Sequence, residues 1–204
     1  MLPFEKILGN DINQLTPLVR DHFLQTPGVR RYKGRMDNVW LKKGCWGWII
    51  ENTLRIINVK NILFANSGEN IEFELINEVK NYTDGSVTMK WSRTFYFPAN
   101  TQRFDALMIF NPQSDVILDK LGTTGDMEVE LLAKVEGGMM IIFSRRQWIK
   151  FFSWKLPLPY FLSGRAYIQE WENKNGSLGI KVTISNPLIG EFFGYEGWFK
   201  RVDE

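Results

Sequence analysis

The stretch Val87-Thr-Met-Lys-Trp-Ser-Arg-Thr-Phe-Tyr-Phe97 decides how this chain is read. Met89, Trp91, Arg93, Phe95 and Phe97 share one side of an extended strand with Val87, while Thr88, Lys90, Ser92, Thr94 and Tyr96 share the other. A period of two predicts a half-buried β-strand. It also puts the Arg93 guanidinium on the greasy side. An unpaired cation in a core costs several kcal/mol, so Arg93 must meet a carboxylate, carbonyls, water or a bound anion.

Working outward, the same period recurs almost to the C-terminus. Ile71 to Leu75 alternates, and Asp84-Gly85 supplies a hairpin turn before Val87. Further runs are Gln102 to Phe110, Asp115 to Leu121, Met127 to Val135 and Met139 to Trp148, separated by short Gly- and Asn-containing turns. Pro157 and Pro159 exclude a central strand between Lys150 and Ser163. Gly164 to Trp171, Leu178 to Ile184 and Tyr195 to Arg201 complete roughly ten strands. Ahead of them, Leu2 to Phe23 reads as two short helices interrupted around Gly9-Asn10-Asp11, the second capped by Thr16 with Pro17 at its first position. Arg31 to Leu41 reads as extended, and Trp46 to Val59 carries a helical apolar stripe.

So many sequential antiparallel strands would leave exposed edges unless the sheet folds over on itself. The expected fold is therefore mainly β (α+β). It is a strongly curved antiparallel meander or barrel of about eight to ten strands, calycin-like or helix-grip-like, with short helices in the N-terminal third. Whether the sheet closes is left open by the pattern. Barrels of about eight or more strands can enclose a small ligand.

The chain has 204 residues, a size that fits one domain over 1–204. Its 25 Lys+Arg and 23 Asp+Glu leave a net charge of +2 with no block of either sign, which argues against counterion-driven nucleic-acid binding. Cys45 is the sole cysteine and His22 the sole histidine, so no intrachain disulfide and no metal site of paired cysteines or histidines is expected. His22 reads as a packing or capping residue. No cofactor motif is present: Gly122-Thr-Thr-Gly125 is too short for a phosphate loop, and Ser163-Gly164 is not a nucleophile elbow. The N-terminus lacks a secretory pattern, and Trp46 to Ala65 is broken by charged and amide residues. Both point to a cytoplasmic protein.

Candidate site residues follow from polar groups on apolar faces. Glu170 is the first choice as partner of Arg93, because Gly164, Ala166 and Ile168 make the rest of its face small and apolar. Asp119 shares a face with Ile117 and Leu121 and is a second inward carboxylate. Arg103 and Asp105 share a face and read as a solvated or strand-end pair. Trp91 and Phe95 flank Arg93, and Tyr195 is an aromatic candidate from the C-terminal block. Strict alternation sends one of Arg145 and Arg146 inward, without saying which. The apolar run Phe151 to Leu162 reads first as a plug for a barrel end and second as an exposed lip docking on membrane or partner.

These residues resemble a bacterial family catalogued as domain of unknown function 4166. The resemblance spans nearly the whole chain. It rests on Trp91-Ser-Arg-Thr-Phe-Tyr-Phe-Pro98, Arg103-Phe-Asp-Ala-Leu-Met108, Asp119-Lys-Leu-Gly122, Leu156-Pro-Leu-Pro159, Glu170-Trp171 and Asn186-Pro-Leu-Ile-Gly-Glu-Phe-Phe-Gly-Tyr-Glu-Gly-Trp-Phe199. Family members occur alone, at the end of multi-span membrane proteins, or after a saccharopine-dehydrogenase-like domain, which implies metabolism or membrane association. The resemblance carries no catalytic residues. The leading expectation is a non-catalytic binding module for an apolar or amphipathic small molecule with an acidic head group. Two alternatives stand beside it: an enzyme using buried Arg, Asp and Glu pairs, and a domain that docks on a membrane protein or partner. The sequence sets no oligomeric state.

Overall fold

Period-two patterning needs a partner on both edges of every strand, and ring closure supplies it. The structure, a computed structural model, describes residues 1–42, 61–151 and 154–202. Strands β1 (Gly28–Leu41), β2 (Gly68–Asn81), β3 (Val87–Tyr96), β4 (Thr101–Asn111), β5 (Val116–Leu121), β6 (Met127–Glu136) and β7 (Met139–Phe151) follow one another round the wall. The short β8 (Trp154–Pro157) pairs with the far half of β7 only. The near half of β7 pairs with β9 (Arg165–Glu172). Then β10 (Leu178–Asn186) and β11 (Gly190–Val202) follow, and β11 closes onto β1. The result is a closed ten-strand antiparallel barrel with β8 as an extra strand. Closure removes the edges that an open sheet would expose.

The two ends are filled by different parts of the chain. At one end sit α1 (Pro3–Leu8), a 3-10 segment (Gly9–Gln14) and α2 (Pro17–Phe23), as the interrupted apolar spacing predicts. Phe4, Val19 and Phe23 are fully buried, and the Phe4 ring meets those of Phe23 and Trp91 at 4.7 and 6.1 Å. Thr16 occupies the cap position of α2, yet its hydroxyl caps nothing. The barrel does that work: the Leu18 N–H donates to the Glu172 carboxylate at 3.0 Å, and the Thr16 N–H to the Gly138 carbonyl at 3.0 Å. At the other end Phe64 is buried against Phe95, Phe97 and Phe193 at 4.9, 5.7 and 5.2 Å. The expected helix over Trp46 to Val59, and Cys45 before it, lie outside the described residues.

Two expectations are corrected. Neither Arg145 nor Arg146 points inward: both are exposed, and Gln147 takes the inward place at 4% exposure. The register against β6 slips between Val129 and Leu131, and such a bulge breaks the strict alternation on which the expectation rested. Over its described side chains, 154–162, the run before Ser163 is no plug either, while 152 and 153 lie outside the described residues. All of β8 and the 3-10 turn Tyr160–Leu162 are exposed, because the barrel end is already occupied by Phe64 and its aromatic neighbours. Asn186 tethers that turn, its side-chain amide donating to the carbonyls of Phe161 and Ser163, both at 2.9 Å. Asn186→Ala is expected to cost about 1 kcal/mol and to raise hydrogen exchange at residues 160–163, as read by denaturant melts and exchange mass spectrometry.

Candidate functional site

The barrel register assembles a polar group inside an aromatic wall. Arg93 lies opposite Leu75 on β2 and Phe104 on β4, all three facing inward. It is 5% exposed, with its guanidinium carbon 4.0 Å from the Phe104 ring centre and 5.6 Å from that of Trp91. Cation–π contact lowers the cost of burying the charge without neutralising it. Arg93 Nη1 donates to the Tyr195 hydroxyl of β11 at 3.4 Å, and Arg93 Nε has no hydrogen-bond partner.

The two inward carboxyls come from different parts of the ring, Glu170 from β9 across the barrel and Asp119 from β5, two strands along the wall from β3. Glu170 on β9 lies between Met140 of β7 and Ile180 of β10, and Asp119 on β5 lies between Met108 and Val129. Among the described residues, neither is within ion-pair distance of Arg93. The expected pairing of Glu170 with Arg93 is thus realised only as a longer-range attraction. Burial raises Glu170 to about 8 and Asp119 to about 7, and the charge of Arg93 pulls each part of the way back. One oxygen of each, Asp119 Oδ1 and Glu170 Oε2, is buried without a partner.

His22 joins this group from α2. Val19, His22 and Phe23 occupy the buried face of that helix, the i, i+3, i+4 spacing that sends a side chain inward. This spacing was the sequence signal that the imidazole belongs inside. Its Nε2 stands 3.6 Å from Glu170 Oε2, both atoms lack a hydrogen bond, and the ring packs against Tyr32 and Trp91 at 4.9 and 5.4 Å. Burial lowers its pKa to about 3, with a smaller push from Arg30, so the imidazole is neutral and the contact is not an ion pair.

Of the other candidates, Phe95 is wall, fully buried against Phe64, Phe73 and Tyr195. Trp91 is 4% exposed with an unpaired indole N–H. Arg103 and Asp105 do not join the group. Their register partners Thr94 and Ser92 place them on the outer face, where they stand 3.7 Å apart, and the side-chain amide of Asn61 donates to Asp105. A cleft of about 250 Å³ between α2 and β11 reaches His22 and Tyr32 from outside the barrel. A second of about 460 Å³ lies on the outer wall at Lys33, Glu72, Glu74 and Tyr96.

A family profile described as domain of unknown function DUF4166 matches residues 15–199, nearly the whole chain. The chain belongs to DUF4166. A protein similar to this one is the uncharacterised protein YndH of Bacillus subtilis strain 168. The two are 30% identical over 139 residues, covering 67% of this chain and 68% of YndH. For this DUF4166 chain, then, the barrel and the polar group inside it are the material for a functional reading. Among the described residues, no helix is long and apolar enough to cross a membrane.

Proposed function

We propose that the barrel is a binding module for an apolar or amphipathic small molecule whose acidic head group meets Arg93 and Tyr195. The observation that carries this reading is the buried Arg93 guanidinium with an unpaired Nε and no carboxylate at ion-pair distance among the described residues. A buried cation in that state is poised to take an anion, and a carboxylate head group would form the charge-assisted hydrogen bonds now missing. The aromatic rings around it suit an apolar tail. The cleft against His22 offers a route toward this group from solvent.

The titration of the neighbouring carboxyls sets the pH dependence. Below about pH 7 Asp119 and Glu170 are protonated, leaving the charge of Arg93 free for an anion. Above pH 8 both are ionised and compete with the ligand for it. Calorimetric titration with decanoate and with decanol separates head group from tail. Decanoate is expected to bind at pH 6 ten- to a hundredfold more tightly than decanol, the range set by one charge-assisted hydrogen bond. Its affinity is expected to fall as pH rises from 6 to 9. Arg93→Met is expected to abolish the preference for decanoate. Equal affinities for the two probes in the wild type, or a decanoate preference that survives Arg93→Met, would overturn the reading.

A further inference from the structure

The exposed run that does not plug the barrel has a chemistry of its own. Past Gln147 the far half of β7 keeps β6 on one side and takes β8 on the other in place of β9. Ile149 is 42% exposed, and its register partner Leu156 is 50% exposed. Trp154 at 70% shares the Leu156 face of β8, and Phe161 at 53% and Leu162 at 60% are exposed on the turn that follows. Leu188, on the turn that Asn186 ties to Phe161, adds a further side chain at 72%. Soluble surfaces rarely gather this many large exposed apolar residues within a few turns of one another.

The surroundings of the patch select its occupant. On the opposite face of the β7–β8 pair from Ile149 and Leu156, the half-buried Lys150 and the exposed Lys155 share a single carboxylate, that of the buried Glu128, so the trio keeps a positive charge. Arg165 is exposed on the other side, stacked over the Tyr160 ring at 4.2 Å. Exposed Trp and Tyr, aliphatic residues and nearby cations are the residue types of a lipid headgroup region. An apolar protein partner would not need the cations. An anionic membrane surface attracts them.

We infer that β8 and the following turn dock on the interface of an anionic lipid bilayer, with Trp154, Leu156 and Phe161 inserted at headgroup depth and Lys150, Lys155 and Arg165 among the phosphates. The inference is independent of ligand binding inside the barrel. Its test is flotation of the intact protein with vesicles of phosphatidylcholine alone or with about 30% phosphatidylglycerol, together with tryptophan quenching by brominated lipid. The wild type is expected to bind the anionic vesicles about tenfold more tightly than the neutral ones, with Trp154 quenched. The double variant Trp154→Glu, Phe161→Glu changes only exposed side chains and is expected to lose at least about tenfold of that binding. Arg93→Met is expected to leave it unchanged, which separates this surface from the barrel interior. Wild type that binds neither vesicle, or a double variant that binds as well as wild type, would overturn the inference. So would concentration-dependent dimerisation of the wild type that the double variant abolishes, since the patch would then belong to a second copy of the chain.

Discussion

Raising the pH from 6 to 9 is expected to strip about 4 kcal/mol from the stability of the folded protein, an effect centred on two buried carboxyls. Glu170 has an ordinary value of 4.5 and a folded value of about 8, and Asp119 goes from 3.8 to about 7. Both are raised on folding. Each therefore contributes stability that is fully present below its unfolded pKa, declines above it, and is gone once the pH passes the folded value. From pH 6 upward Glu170 has about two pH units left to lose and Asp119 about one, at about 1.4 kcal/mol per unit. His22 works in the opposite sense. Its pKa falls from 6.5 to about 3 on folding, so it withdraws stability only below pH 6.5 and does not offset the alkaline loss. Denaturant midpoints taken at intervals from pH 6 to 9 measure the slope. Glu170→Gln is expected to halve the slope or better, and Glu170→Gln with Asp119→Asn to flatten it, since neutral amides mimic the protonated acids. A wild-type curve flat across this range would mean that the two carboxyls are solvated and that the polar group is not inside the barrel.

Gly197→Val is expected to destabilise the protein by more than about 3 kcal/mol, enough to read as loss of soluble folded material. Gly197 lies opposite Met36 in the seam where β11 closes onto β1, beside the register slip between Met36 and Asn38. A Cβ there would stand 2.2 Å from the Arg35 carbonyl oxygen and 2.5 Å from Met36 Cα. Gly34 is its counterpart on β1, where a Cβ would meet the Trp198 carbonyl oxygen at 2.0 Å. These are backbone atoms of a closed ring and cannot swing aside as a side chain could. A glycine-lined, bulged seam is how a tightly coiled pair of strands lets a barrel close. Gly137→Ala provides the contrast: nothing lies within 4 Å of its Cβ, so only its positive φ of 56° matters, at about 1 kcal/mol. Thermal melts of the two variants side by side would distinguish backbone collision from turn strain. Equal, small effects would show that the seam is looser than drawn.

The inward direction of Arg93 and of Asp119 was legible in the sequence because the pleat fixes side-chain direction residue by residue. In β3 the alternation runs unbroken from Met89 to Phe95, and every one of those odd-numbered residues is buried. The same logic failed at Arg145 and Arg146, where one extra residue in β7 resets the alternation and both side chains turn outward. It also misjudged the apolar run before Ser163. Hydrophobicity reports what a segment could bury, and the place it would have filled is held by Phe64 and Phe193.

By itself, then, the amino-acid sequence determined the ten strands of the wall, their turns, the two short N-terminal helices and which face of β3 and β5 looks inward, but not the extra strand β8. Those properties depend on neighbours one to four residues away. Only the tertiary structure decided that β7 passes over β8 to pair with β9, that β11 returns to β1, and hence that Arg93 meets Tyr195 from 102 residues away while His22 faces Glu170. Ring closure and register are set by packing and backbone pairing between segments far apart in the chain. Alternation within a single strand carries no record of which distant strand will lie beside it.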